Sequence, residues 1–439
     1  MSADRSMLAV LRIPDFRRYV IGCTASGFGD SLTPFALAFA VLELTGSPSA
    51  LGLVVLSTRL PMILLALVGG VVGDRFSRRT IMLVTDVVRC VVQAATATIL
   101  LTGVARVWML IVLQLVAGAG AAFFNPAAQG LIPAVVDKPR LQQANSLLAM
   151  SRSAASIVAV GSAGALVALA EPGWAIGVDA LTFLVSALAL ARLPRTLTAA
   201  RPGRRAGLVA GLRSGLGEVR GHPWLWVWAA HAGLVNLLVI SPIFVLGPFV
   251  ADDHLGGAPA WASVGISYTV GALVGGLVSS RWTSSRPMVA AVGCFLLIVP
   301  LAVALAVPAP VWLLVPAGLL GGLQVSIYNV FQSTAVQRHL PDHLIARATS
   351  VLMLGALVAV PFGTGLAGPV AAAWGTRTVL GAVALLAVLV TVGTLALPAT
   401  WRVVSTPPVR VEPAPAAVPA PTDPADGVRD PLPLRRTTA

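Results

Sequence analysis

The chain has 439 residues, of which 57% are hydrophobic and only 11% charged, and it carries a formal net charge of +13. Soluble globular chains are charged at about a quarter of their positions, so this composition excludes water as the main solvent. It also removes nucleic acid as the reason for the excess of bases, because Lys and Arg of a membrane chain gather in the loops that stay cytoplasmic.

No cleavable leader is expected in MSADRSMLAVLRIPDFRRYV, where acids and bases interrupt too short an apolar run. A bilayer core about 30 Å thick takes ~20 apolar residues of helix. Twelve runs of that length are predicted. After an N-terminal segment (1–17), the first half (18–193) gives spans at 18–43, 50–73, 80–102, 107–130, 141–168 and 173–193. A connector (194–221) follows, too charged to cross. The second half (222–397) gives spans at 222–250, 258–280, 287–306, 309–333, 344–370 and 376–397. The tail (398–439) is rich in Pro and Ala, has nothing to bury, and is expected to be disordered. Cys23, Cys90 and Cys294 lie inside apolar runs and read as small core residues, without metal-ligand or disulfide spacing.

Placing the N-terminus inside puts Arg5, Arg12, Arg17, Arg18, Arg75, Arg78, Arg79, Lys138, Arg140, the arginines of the connector, Arg281, Arg286, Arg338 and Arg347 on the cytoplasmic side. Only Arg106 and Arg377 then fall outside. This asymmetry, with an even number of spans, predicts a multi-pass protein of the inner (plasma) membrane with both termini cytoplasmic.

The halves echo one another. Phe124-Asn125-Pro126 and Ala144-Asn145-Ser146 correspond to Tyr328-Asn329-Val330 and Ala348-Thr349-Ser350, with 329 − 125 and 350 − 146 both equal to 204. Likewise, the stretch from Gly70 to Arg75 corresponds to Gly276–Arg281 at an offset of 206. Duplicated six-span halves are the architecture by which membrane carriers rock two bundles about a site near the midplane. The expected fold class is therefore an all-α membrane protein of twelve transmembrane helices in two pseudo-symmetric six-helix bundles.

The most specific motif is GVVGDRFSRR, from Gly70 to Arg79 between spans 2 and 3. Gly70 and Gly73 permit close helix approach, and Asp74 is placed to face the positive end of a neighbouring helix. With Arg75, Arg78 and Arg79 the stretch resembles motif A of the major facilitator superfamily. The resemblance runs from about Asp15 to Leu397 and leans toward the exporter group that includes the enterobactin exporter and multidrug efflux proteins. Supporting stretches are FRR from Phe16, SGFGD from Ser26, TGSP from Thr45, FNPA from Phe124, LQQANS from Leu141, VDALTF from Val178 and QRHLP from Gln337. It implies a gating role for Asp74 in holding the outward-facing state. Ser280 occupies the corresponding place in the second half, so gating is expected to be asymmetric. Two positions depart from common exporter patterns: Gln114 stands where an arginine often precedes Gly118, and AVGSAG (159–164) lacks a proline.

An ionisable group at membrane depth is costly and marks a candidate site. Asp30 lies ~12 residues into span 1, on one face with Ser26 and Thr33. Arg59 on span 2 falls at a similar depth, and the two are expected to pair. Three readings remain open: a proton-coupling switch, a permanent ion pair, and a substrate contact. Asp86, Arg89 and Arg152 read as a charge network with the motif-A loop, and Asp179 as a group near the outer end that water reaches. The second half offers mainly neutral polar groups. Asn236, Tyr268, Asn329 and Gln332 are the candidates for lining a substrate cavity there.

A cavity charged on one side and apolar or neutral on the other suits an amphipathic substrate. Together with the resemblance, this predicts a secondary active transporter that exports a small hydrophobic or amphipathic compound by alternating access, with proton entry as the driving force. An importer or lipid-moving transporter, or a transport-inactive membrane sensor, are the alternatives. No nucleotide-binding signature, metal-ligand cluster or pairing of nucleophile with base is present, so neither an enzyme nor a cofactor or metal is expected. The expected partners are the small-molecule substrate, protons and the lipid bilayer, with the chain a monomer.

Overall fold

The computed structural model describes residues 7–137, 140–194, 221–282, 284–340 and 342–404. Side chains at Ile63 and from Ala66 to Arg75 lie outside that set, so Gly70, Gly73, Asp74 and Arg75 are placed only as the last turns of a helix. Also outside it are the connector (195–220) and the tail from 405 onward.

Among the described residues, a short 3-10 turn, Met7–Arg12, leads into twelve long helical rods: α1 Pro14–Thr45, α2 Pro48–Arg75, α3 Arg78–Leu101, α4 Val107–Val135, α5 Leu141–Leu169 and α6 Pro172–Ala191. The second set is α7 Pro223–His254, α8 Ala258–Arg281, α9 Pro287–Ala306, α10 Val311–His339, α11 Asp342–Trp374 and α12 Thr376–Ala396. Among the described residues no strand occurs. Eleven helical segments among the described residues are long and apolar enough to cross a bilayer by length and composition, and α2, with 28 residues, is the twelfth rod. Sequence signals set many of the ends. Proline opens α1, α2, α6, α7 and α9, where its missing N–H costs nothing. Gly46 closes α1 in the left-handed region at φ 59°, its N–H bonding Leu42 O at 2.7 Å.

The repeat is visible in the elements themselves. Helices α4 and α10 are both 29 residues long, and both of their ends differ by 204 (311 − 107 and 339 − 135). Helices α2 and α8 end on the arginines matched at an offset of 206. A glycine makes the same contact in each half: Gly118 on α4 lies against the backbone carbonyl of Thr58 on α2, and Gly322 on α10 against that of Tyr268 on α8. Between the halves, α2 packs on α11 and α5 on α8, pairs that exchange when every helix number is moved by six.

Lipid, not water, is the solvent for the outer surface. Helix α3 turns Val84, Val87, Val88 and Val91 outward, all more than a third exposed, while Asp86, Arg89, Gln93 and Thr96 are buried. In water the two faces would be reversed. Exposed tryptophans fall at the ends of the rods, as interfacial aromatics do: Trp108, Trp174, Trp312 and Trp374 at one end, Trp226, Trp282 and Trp401 at the other.

The apolar core is divided unequally along the rods. At the end where α1 and α7 begin, each half has a core of its own, built on Phe16, Tyr19 and Leu131 in the first and on Trp224, Trp228 and Phe331 in the second. At the far end a single core joins both halves, from Phe39 and Leu51 to Leu246, Trp261 and Ala371. Small residues make that junction close: Gly368 lies against Pro48, Gly52 against the carbonyl of Thr364, and Gly164 against Ala262.

The expected disorder from 398 does not begin there. Pro398–Trp401 forms a helical turn, Thr400 and Val403 are buried, and the Thr400 hydroxyl donates to Thr394 O at 2.6 Å. These residues precede the Pro/Ala-rich stretch and still carry side chains worth burying.

Candidate functional site

A cavity of ≈ 260 Å³ lies inside the first half, at mid-depth. Asp30, Thr33, Pro34 and Leu37 of α1 line one side, and Val55, Thr58, Arg59 and Met62 of α2 face them. Arg89 and Gln93 come from α3, Gln114, Ala117, Ala121 and Asn125 from α4, and Asp179 from α6.

The ionic partner of Asp30 is Arg89, and the pairing with Arg59 expected from depth does not form. Arg89 extends from the buried face of α3, with 5% of its side chain exposed, to the carboxylate of Asp30, which is 48% exposed to the cavity. The guanidinium lies 3.9 Å from the ring centroid of Phe183 and 5.9 Å from that of Phe124, so aromatic faces take the place of water around it. Its Nη1 is buried without a partner. Arg59 projects into the cavity from α2 and has no ion-pair or hydrogen-bond partner among the described residues.

Among the described residues, Asp86, Arg89 and Arg152 form no ion pair or hydrogen bond with one another or with Arg78 and Arg79 of the motif-A loop; the side chains from Gly70 to Arg75 lie outside the described set. Asp86 accepts a hydrogen bond from the Ser186 hydroxyl at 2.5 Å, and its other oxygen has no partner. Arg152 runs alongside Gly27 of α1. The loop's own arginines donate to backbone carbonyls instead. Arg79 donates through Nε to Leu190 O at 3.0 Å and through Nη2 to Ala191 O at 2.6 Å, at the C-terminus of α6, and Arg78 donates to Gly130 O on α4. At the end of α6, orphan carbonyls and the negative end of the helix dipole favour a cation.

Asp179 is fully buried, where access to water was expected. It is held by a run of neutral polar groups whose connection the sequence does not display. Thr58 donates to Gln114 Oε1 at 3.3 Å, Gln114 to Gln93 Oε1 at 3.4 Å, and Gln93 to Asp179 at 2.7 Å and to Thr33 at 3.2 Å. Thr33 donates to Asp179 in turn. The available signal was two glutamines in otherwise apolar spans, since an amide in a membrane must find partners within the protein.

The candidates of the second half lie outside this cavity. Asn236, in a π-helical turn (Asn236–Ile240), donates to Ala232 O of its own helix at 2.8 Å. Tyr268 packs edge-on against Phe244, with 5.4 Å between ring centroids. Asn329, the repeat partner of the cavity residue Asn125, is exposed, and Gln332 is half-buried. A more developed polar contact in this half joins His231 Nδ1 to Tyr328 Oη at 3.1 Å, both buried.

Duplicated helical halves, a lipid-facing exterior and a charged cavity at mid-depth define a polytopic membrane protein of the carrier class. The family model described as Major Facilitator Superfamily matches residues 19–353, and the chain belongs to that family of transporters. It is similar to the multidrug efflux pump Tap of Mycolicibacterium fortuitum, at 30% identity over 85% of this chain and 93% of that protein. Macrolide efflux protein A of Streptococcus pyogenes is 23% identical over 78% of this chain and 85% of its own. The fold matches solved structures of the nucleoside transporter NupG, with a TM-score of 0.70 at 14% identity, and of a bacterial homologue of the iron transporter ferroportin, with 0.69 at 16%. These cover 87% and 88% of this chain and 98% and 99% of the respective solved chains.

Proposed function

We propose that this transporter exports amphipathic, largely apolar compounds across the plasma membrane, driven by proton entry and working by alternating access. The observation that carries the reading is the cavity, where charged groups are confined to Asp30, Arg59, Arg89 and Asp179 among the described residues and much of the remaining wall, from Pro34, Leu37, Val55 and Met62 to Ala117 and Ala121, is apolar. A strongly charged solute would find too few partners there, whereas a compound with one polar edge and a large apolar body matches both kinds of wall. Two relatives with efflux in their names, one for macrolides and one for multiple drugs, support the direction and the substrate class.

Alternating access is supported by the unequal core. One apolar core joins the halves at the far end, while separate cores at the end where α1 and α7 begin leave each bundle internally packed. Under the charge asymmetry of the loops, that end is cytoplasmic, both termini lie inside, and the cavity is offered to the cytoplasm. A monomer contains all the parts described.

Inverted membrane vesicles containing the protein test this reading. An imposed proton gradient is expected to drive accumulation of erythromycin or ethidium, and collapse of the gradient to abolish it. Gradient-independent equilibration, or binding without movement, would replace it with facilitated passage or with a sensor.

A further inference from the structure

Asp179 is held only by neutral donors. Its Oδ2 accepts from the Thr33 hydroxyl and from Gln93 Nε2 at 2.7 Å. Its Oδ1 lies 3.2 Å from the Thr182 hydroxyl, whose own proton goes to the Asp179 backbone carbonyl at 2.8 Å and whose oxygen can therefore accept from the acid. No ion pair reaches the carboxyl among the described residues. Its place is made by Gly29. A Cβ on that glycine would meet Asp179 Oδ1 and the Thr182 hydroxyl, so the carboxyl lies against the backbone of α1 next to Asp30.

The charged and titratable groups around it come from each neighbouring helix. Helix α1 supplies Asp30, α3 supplies Asp86, Arg89 and Cys90, α5 supplies Arg152 beside Gly27, and α2 places Arg59 in the cavity. Within the seam between α1, α3 and α6 lie three carboxyls, Asp30, Asp86 and Asp179; of the buried guanidiniums of α3, Arg89 reaches Asp30, while Arg79 is taken up by the carbonyls of Leu190 and Ala191. Asp179 is fully buried and, among the described residues, none of Arg59, Arg79, Arg89 and Arg152 forms an ion pair with it; a buried carboxyl without a counter-charge is neutralised by taking up a proton. Asp30 holds the guanidinium of Arg89 and faces the cavity, which identifies it as the ionised member. Of the other two, Asp179 borders the cavity and Asp86 does not; Asp179 has no accessible surface in this conformation, so exchange with the cavity waits on the movement of Arg89. Arg89 also has a free hand: Nη1 is buried without a partner, and Gln93, which holds Asp179, lies one turn along the same face of α3.

We propose that Asp179 holds a proton in this conformation and that Asp30 and Asp179 exchange it through Arg89. In the exchange Asp30 takes up a proton and releases the guanidinium, Arg89 turns to Asp179, and the Asp179 O–H bond breaks with its proton passing to the cavity. One proton enters, one leaves, and Arg89 always has one carboxylate partner. The inference rests on the proton-coupled reading only for the use made of this proton.

Infrared spectroscopy of the full-length protein in lipid nanodiscs, without drug, reads the C=O stretch of protonated carboxyl groups directly. At neutral pH, Asp179→Asn is expected to remove one component of that band and Asp86→Asn to leave that component in place. Asp30→Asn, which mimics the protonated partner and sends Arg89 to Asp179, is expected to remove the same component. Persistence of the whole band in Asp179→Asn would overturn the resident proton, and persistence of its component in Asp30→Asn would overturn the exchange. If Asp179→Asn does not fold, Asp179→Glu decides, because a component carried by this residue must shift in frequency. Since no drug is present, the spectra are independent of the efflux assay: a chain that moves neither erythromycin nor ethidium can still show the component, and gradient-driven flux without it sinks the assignment.

Discussion

Arg89 on α3 and Asp30 on α1 form an ion pair at the wall of the cavity, with the arginine buried to 95% of its side chain and the aspartate about half exposed (5% and 48% accessible). The pair therefore has one partner that water can reach and one that it cannot.

A double-mutant cycle measures that relationship. Asp30→Asn combined with Arg89→Gln is expected to show a coupling of about 1 to 3 kcal/mol in detergent unfolding, as contacting charged residues do. Asp30→Asn alone should fall at the mild end, because Arg89 can turn toward Asp179. The cycle of Asp30→Asn with Arg59→Gln is expected to be additive within about 0.5 kcal/mol. Coupling confined to the Arg59 cycle would reverse the pairing.

Arg79 offers a second, independent test, because its two donors close the C-terminus of α6 from a buried position. Arg79→Gln is expected to cost about 1 to 3 kcal/mol, the range for losing hydrogen bonds from a charged donor: Leu190 O keeps the Leu193 N–H at 3.1 Å, while Ala191 O loses its donor. Arg79→Lys should recover only part of the loss, since an ammonium keeps the charge but lacks the planar fork that reaches both carbonyls. Thermal unfolding in detergent orders the three proteins, and equal melting of Lys and Arg forms would mean that charge alone matters.

Close helix approach at Gly118 and Gly322 predicts matched sensitivity in the two halves. A methyl group at either position meets a backbone carbonyl, of Thr58 or of Tyr268, which cannot move without its helix. Gly118→Ala and Gly322→Ala should each lower stability by about 1 to 3 kcal/mol, as overpacking does. Gly276→Ala and Gly381→Ala, where the added carbon meets nothing within 4 Å, are the neutral comparison. Folded yield by size-exclusion fluorescence reads all four, and equal yields would show that the helices can separate at no cost.

Orientation is tested with single cysteines in a background lacking Cys23, Cys90 and Cys294. Arg204→Cys, in the connector, should react with an impermeant maleimide only after the membrane is opened, and Arg106→Cys, between α3 and α4, should react in intact cells. The reverse pattern would invert the protein and the proposed direction of the cavity.

The sequence by itself determined the solvent, the number of long helices and the repeat. Each is a property of runs of residues: ~20 apolar positions fill a bilayer core whatever they pack against, and an offset of 204 between Asn125 and Asn329 survives into the ends of α4 and α10. Asp30 was legible as an exceptional residue for the same reason, since the cost of a charge at that depth needs no knowledge of its neighbours. Its partner was not. Arg59 and Arg89 both belong to helices passing the same level, and depth along a helix says nothing about which side chain crosses the gap. Rotation of α3 about its own axis, set by the valine stripe that faces lipid, points Arg89 and Gln93 inward and brings them to Asp30 and Asp179. Burial of Asp179 was decided in the same way, by the space Gly29 leaves on a helix some 150 positions earlier (179 − 29 = 150). Contacts between residues so far apart depend on how rods rotate and lean against each other, and only tertiary packing settles that.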